Sequence, residues 1–373
     1  MLELSKKDLI QLAHDTGFPR VSVYLPMEAA GREIRKNPII LKNAAAQAKR
    51  RLLAGGVSES VARGLVQPLL DMAEDNNRMQ HQMSGLAVFL SPASWQEMQL
   101  PVAFQERIVV SDRFYIRPLV EPVTSNIQYA ILALSEGGVA LYQADNFHLQ
   151  PVDVPELPED LCTVLRFDDF EKSLQPHQTE TGGSRYGVHG HGAGKDEHEL
   201  FLKRFVDAVT PAVERILAGK PLPLALVGAE DVIGRVAKAL DYPHILPDRL
   251  VKDPHAISAD ELLREGRRLA GHEVEQQKSA LLERAESSHL TQNPHGVVEA
   301  AVEARVDVLI VDRDAEVRGR WIPSEGVHVE TDSAVAAEAE DLVDLAMIKT
   351  LEAGGEVIVQ ASRDAPLAAL LRD

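Results

Sequence analysis

Residues 127–155 read IQYAILALSEGGVALYQADNFHLQPVDVP. Two apolar runs, 129–134 and 139–143, flank Ser135-Glu136-Gly137-Gly138, the pattern of a β-hairpin. A third segment, 147–154, alternates apolar and polar residues, as a strand with one buried face does. The next residues, 155–178, are acidic and irregular. They lead into 179–196, TETGGSRYGVHGHGAGKD, where glycine occupies six positions and no apolar periodicity survives. Such a stretch packs neither as helix nor as strand. Residues 197–217 follow as EHELFLKRFVDAVTPAVERIL, with Leu200, Phe201, Phe205, Val209, Val213, Ile216 and Leu217 at spacings of three and four. That is one long amphipathic helix. A glycine-rich loop mounted on a rigid helix presents backbone to a partner.

Upstream, 1–17 reads as a short amphipathic helix without the apolar core or cleavage site of a signal peptide. VSVYLP at 21–26 is a strand. Asn37-Pro38 starts a helix that runs to about residue 53, with proline in the first turn, and Gly55-Gly56 ends it. Ser58 caps a further helix through Met83, broken or bent near Pro68. Residues 85–91 and 95–100 are strands, and VVSDRFYIRPLVEP closes this region. Downstream, 223–228 is a buried strand and 230–240 a helix. Ser258 with Glu261 forms a capping box for a helix from 259 to 287. A helix at 296–303, the buried strand VDVLIVD at 306–312, a helix at 334–353 and a strand at 356–361 complete the chain. Strands alternating with helices define an α/β (α+β) protein. The 373 residues suffice for two or three domains. The expected partition is an N-terminal α/β domain at 1–123, a middle hairpin-and-helix domain at 124–220 carrying the loop, and a C-terminal layered α/β domain at 221–373.

Net charge is −18, which argues against a general nucleic-acid binder, yet it is unevenly spread. Residues 1–123 hold 15 Lys+Arg against 13 Asp+Glu, residues 124–220 hold 8 against 15, and residues 221–373 hold 16 against 29. Only the first third favours RNA by its overall charge, through a cluster of Arg32, Arg35, Lys36, Lys42, Lys49, Arg50 and Arg51. The single cysteine, Cys162, excludes an internal disulfide. No run of about 18 apolar residues exists, so no membrane span is expected, and the cytoplasm is the economical location. His189 and His191 stand two apart in a flexible loop, which is not a preformed metal site, and no cofactor is implied. Gly182-Gly183-Ser184-Arg185 places backbone N–H groups beside a guanidinium, suited to a phosphate backbone, but lacks the Lys and Ser/Thr of a nucleotide-binding P-loop.

The order of elements resembles the archaeal and eukaryotic class-one peptide release factors and their Pelota-type rescue relatives, most closely a bacterial branch of that superfamily. VSVYLP and VVSDRFYIRPLVEP are similar to the first strand and closing segment of that family's N-terminal domain. YAILALSEGGVALYQADNFHLQPVDVP is similar to the opening hairpin of its middle domain. EARVDVLIVDRDAE and EAGGEVIVQASRDAPLAALLR resemble its C-terminal domain, which has the fold of kink-turn-binding ribosomal proteins. The resemblance implies that 179–196 stands where the family carries a Gly-Gly-Gln loop that positions a hydrolytic water in the peptidyl-transferase centre. Gly182 and Gly183 match the two glycines, and Ser184 replaces glutamine. A serine hydroxyl is too short to reproduce that geometry. The family's Asn-Ile-Lys-Ser stop-codon motif is also absent from NPIILK at 37–42.

The resemblance therefore implies a ribosome-associated factor of rescue, stress or hibernation that does not read stop codons. Arg32, Arg35, Lys36, Lys42, Arg50 and Arg51 would face ribosomal RNA. Gly182, Gly183, Ser184, Arg185, His189 and His191 would face the tRNA acceptor end. Two alternatives are a peptidyl-tRNA hydrolase in which Ser184, Arg185 or a loop histidine substitutes for glutamine, and a non-ribosomal protein-binding module that keeps the fold. The strongly acidic C-terminal domain suits a protein partner.

Overall fold

The computed structural model describes residues 4–29, 31–135, 138–155, 157, 193–322, 324–329, 340–361 and 364–372. These residues form two compact units, Met1–Asn126 with Glu275–Asp373, and Ile127–Val274.

The first unit opens with α1 (Lys6–His14), started by a capping box between Ser5 and Asp8. Strands β1 (Thr16–Pro26), β2 (Gly85–Leu90), β3 (Trp95–Leu100) and β4 (Arg107–Arg113) pair antiparallel in the order β3-β2-β1-β4. The two-residue alternation of β1 sends Val21, Val23 and Leu25 to one face. There they pack on Leu41, Ala44, Ala45, Ala48 and Leu52 of α2 (Asn37–Ala54) and on Leu65, Leu69 and Met72 of α3 (Glu59–Glu74). Tyr24 and Phe89 take the opposite face and meet Phe104, Phe114 and Tyr115 edge-to-face, with centroids 5.2–6.4 Å apart.

The helix expected from Ser58 to Met83 is divided, and the break lies at Asp75 rather than Pro68. Pro68 sits within α3 and does not end it. Asp75 adopts extended backbone and its carboxylate accepts the Arg78 N–H at 3.0 Å, which starts α4 (Asn76–Gln80). An aspartate that caps locally competes with helix continuation. Ser58 is extended but makes no capping hydrogen bond; its hydroxyl lies 3.3 Å from that of Ser60.

The closing segment of the N-terminal region yields β4 and α5 (Arg117–Thr124). In the second unit β5 (Tyr129–Ser135), β6 (Gly138–Ala144) and β7 (Leu149–Val152) form the expected meander. The sheet continues through β8 (Leu224–Gly228) and β9 (Leu250–Val251), both parallel to β5, in the order β7-β6-β5-β8-β9. So 223–228, expected to open a third domain, completes the sheet of the hairpin instead. An apolar strand buried on both faces needs a neighbour on each edge, and β5 supplies one. One face of this sheet packs on α6 (Ala193–Gly219) and α7 (Glu230–Ala239) through Phe205, Val209, Val213, Val232 and Val236. The other packs on α8 (Ala259–Glu286), where Gly266 lets the helix approach: a Cβ there would lie 2.6 Å from Ile131 and 2.9 Å from the Tyr129 ring. The helix α6 begins at Ala193, inside the stretch read as loop to Asp196.

Returning to the first unit, β10 (Leu290–Thr291), β11 (Val306–Asp312), β15 (Glu356–Gln360) and β16 (Leu367–Leu371) form a sheet in the order β10-β16-β11-β15. The pair β11–β15 is parallel and β11–β16 antiparallel. Helices α9 (Pro294–Val302) and α10 (Leu342–Glu352) accompany it, with a small sheet of β12 (Arg318–Ile322), β13 (Gly326–Val329) and β14 (Glu340–Asp341). The expected helix from 334 is described only from Leu342; its first residues to 339 lie outside the described ones.

The N-terminal elements and this C-terminal sheet are joined by a polar seam. The Asp344 carboxylate, 2% exposed, accepts the backbone N–H groups of Ile116 at 3.1 Å and Arg117 at 2.8 Å, across 228 and 227 residues of sequence. The Arg117 guanidinium, 10% exposed, donates to the carbonyls of Ala315 at 2.6 Å, Asp312 at 3.1 Å and Arg313 at 2.7 Å, and pairs with Asp341 at 3.3 Å. Arg113 reaches Glu340 at 3.2 Å and Asp344 at 4.0 Å. Burial pushes the Asp344 carboxyl up to about 7, against the pull of Arg113 and the two N–H donors and with the help of Asp341.

Asp344→Ala leaves two buried N–H groups without a partner and is expected to cost about 2–4 kcal/mol in urea unfolding; a loss under ~1 kcal/mol contradicts this seam. The pH dependence follows from the folded carboxyl titrating above its unfolded value of ~3.9. Between those values the folded state holds the extra proton, so stability falls as pH rises. The stability advantage of the wild type over Asp344→Asn should shrink by about 1–2 kcal/mol from pH 5 to pH 8, and an advantage that grows with pH has the wrong sign.

Candidate nucleic-acid interface

The basic cluster lies on one continuous piece of the first unit. Arg32–Lys36 form a short 3-10 turn that leads directly into α2. Gly31, at φ +81, makes the bend before it, a conformation open to glycine. Asn37 anchors the turn: its side chain is buried, accepts the Glu28 N–H at 2.9 Å and donates to the Glu28 carbonyl at 2.9 Å. Along α2 the residues Leu41, Ala44, Ala45, Ala48 and Leu52 face the sheet, which leaves Ile39, Lys42, Asn43, Ala46, Arg50 and Leu53 towards solvent.

The cations differ in what they already do. Lys36 pairs with Glu33, whose carboxylate holds the ammonium above its ordinary range. Lys49 pairs with Glu59 at 2.6 Å, and Arg51 donates to the Ile108 carbonyl of β4. Arg32, Arg35, Lys42 and Arg50 are exposed and make no ion pair among the described residues. Arg51, expected among the RNA contacts, is exposed as well but spends one guanidinium N–H on the fold.

The functional-loop residues Gly182, Gly183, Ser184, Arg185, His189 and His191 lie outside the described residues. The end of β5 brings Ser135 Oγ to 2.9 Å from His255 Nε2. The same hydroxyl reaches the Gly138 carbonyl at 3.0 Å, and among the described residues no carboxylate holds the second ring nitrogen. The pair lacks the third group that orients a catalytic histidine. Among the described residues no three His, Cys, Asp or Glu side chains converge as metal ligands, and no helix is long and apolar enough to cross a membrane.

Comparison with known proteins places the second unit. Residues 129–271, nearly the whole of the second unit, match one family model. The matching family model is that of bacterial archaeo-eukaryotic release factor family 7, over residues 129–271, which nearly coincides with the unit and spans less than half of the chain. No curated protein matches the chain. Among solved structures, Pelota of Archaeoglobus fulgidus is 10% identical, with 100% of this chain and 93% of that chain covered and a TM-score of 0.35. The archaeal translation termination factor aRF1 is 13% identical, over 99% of each chain, with a TM-score of 0.23. Dom34 of S. cerevisiae, a translation termination-like factor involved in RNA quality control, is 11% identical, over 74% of this chain and 72% of that chain, with a TM-score of 0.25. Superpositions this loose carry no residue-by-residue correspondence.

The division of labour between neighbouring arginines is measurable. Arg51→Ala should lower stability by about 0.5–1.5 kcal/mol through the lost hydrogen bond to Ile108, while Arg50→Ala should stay within about 0.5 kcal/mol of the wild type. Equal effects in chemical unfolding would contradict the assignment.

Proposed function

We propose that this protein is a cytoplasmic, ribosome-associated release-factor-like factor acting in rescue, stress or hibernation without reading stop codons. The observation that carries the proposal is the pairing, in one chain, of a release-factor family segment at 129–271 with a separate basic face. On that face Arg32, Arg35, Lys42 and Arg50 are exposed and unpaired among the described residues, in a chain of net charge −18. Acidic surfaces elsewhere disfavour indiscriminate RNA binding, so a local basic face selects where the contact is made. In this reading the N-terminal face meets ribosomal RNA, and residues 179–196 face the tRNA acceptor end, with serine at 184 in place of the glutamine used for hydrolysis. The acidic C-terminal region, net −13 over 221–373 with 16 basic and 29 acidic residues, faces a protein rather than RNA.

Co-sedimentation with bacterial ribosomes tests this. Wild-type protein should co-migrate at low salt and dissociate as salt rises, because binding releases counterions from phosphates. Arg32→Glu, Arg35→Glu, Lys42→Glu and Arg50→Glu together should weaken binding at least about tenfold and flatten the salt dependence. Deletion of 181–195 should weaken it separately. A charge-reversed variant that pellets like the wild type would remove the N-terminal contact from the proposal.

A further inference from the structure

The start of β1 departs from regular pairing. Thr16 faces Arg113 and Arg20 faces Ser111, so Gly17, Phe18 and Pro19 stand opposite Asp112 alone. A bulge of this kind re-aims a side chain. Pro19 is buried, while Phe18 beside it is 52% exposed, a large apolar ring turned to solvent.

The bulge is held rigidly. Arg20 curls back over it and donates to the Gly17 carbonyl at 2.7 Å, the Thr16 carbonyl at 2.8 Å and the Pro19 carbonyl at 3.3 Å. Two further bonds, at 2.7 and 3.0 Å, fix the guanidinium to Asp15. Gly17 itself sits at φ +118, where other residues are strained. A five-bonded arginine therefore fixes the backbone that carries an exposed phenylalanine.

The ring stands at the end of the basic helix. Its Cζ approaches Gly55, the C-cap of α2, so closely that a Cβ there would lie 3.1 Å away. Arg50 and Arg51 lie five and four residues before that glycine, and Arg50 is exposed and makes no ion pair among the described residues. The C-terminal end of a helix carries partial negative charge, which disfavours a phosphate directly over Gly55. Aromatic rings on basic surfaces stack unpaired bases, whose phosphates reach the cations nearby.

We infer that Phe18 is a stacking platform for an unpaired nucleobase of the RNA that binds the α2 face. This inference rests on the RNA-contact reading above and adds the class of nucleotide recognised: single-stranded or flipped out, taken through its π-face and without base preference.

The test uses the full chain as wild type, Phe18→Leu, Phe18→Trp and the fourfold charge reversal. Binding is measured to a short single-stranded RNA carrying 2-aminopurine and, separately, to ribosomes by co-sedimentation. Wild type and Phe18→Trp should bind and quench the 2-aminopurine fluorescence. Phe18→Leu, which keeps an apolar side chain over Gly55, should melt within a few degrees of the wild type, lose the quench and bind about 5- to 100-fold more weakly. Phe18→Leu that binds and quenches like the wild type overturns the inference, and if the charge reversal still abolishes ribosome binding, the RNA-contact reading stands without it. Absence of binding by the wild type to both RNA and ribosomes overturns both.

Discussion

The first unit depends on one buried carboxylate. Asp344 lies in the first turn of α10, yet its Oδ1 accepts from the backbone of both Ile116 and Arg117, where the N-terminal sheet hands over to α5. Arg117 returns the contact by donating to three carbonyls at and just after the end of β11. Backbone groups buried at a junction must find partners, and neither strand ladders nor helices reach these. The charge is costly there, which is why the carboxyl is pushed up to about 7. Elements from the two ends of the chain thereby share one compact unit.

This seam explains what could and could not be read from the chain. The hairpin at 129–144 was legible because alternation and a Gly-Gly turn are local signals. VDVLIVD was legible as a buried strand because it is apolar almost throughout. Which sheet a strand joins is not local. The strand 224–228 pairs with β5, about ninety residues earlier, and nothing within its five residues distinguishes that from opening a new domain. The short strands β9, β10 and β14, of two residues each, are too brief to leave a periodic pattern. The break at Asp75 followed the weaker-looking residue: local capping by its carboxylate ends α3 there, while Pro68 is accommodated inside the helix.

The basic face was visible as composition, but composition did not sort its members. Lys49 and Arg51 are held by Glu59 and by the Ile108 carbonyl, contacts set by the packing of α2 on α3 and β4. Arg32, Arg35, Lys42 and Arg50 are exposed and make no ion pair among the described residues. Phe18 carried no signal at all in the sequence, since a phenylalanine ahead of an apolar strand reads as core. Its exposure follows from the bulge that Arg20 holds in place. The proposed interface therefore combines exposed cations with a fixed aromatic, whereas the acidic remainder of the chain restricts where RNA is met.

The central claim is that the α2 face lies against ribosomal RNA. It is tested most directly by hydroxyl-radical cleavage from an iron chelate tethered to a single cysteine, Ala46→Cys in a Cys162→Ser background, bound to bacterial ribosomes. Ala46 is exposed in the middle of that face, one helical turn from both Lys42 and Arg50. The account predicts strand cleavage confined to a small set of ribosomal RNA positions around the A site, lost when Arg32, Arg35, Lys42 and Arg50 are reversed in charge. Cleavage no stronger than that from untethered chelate, with the protein bound, would contradict it.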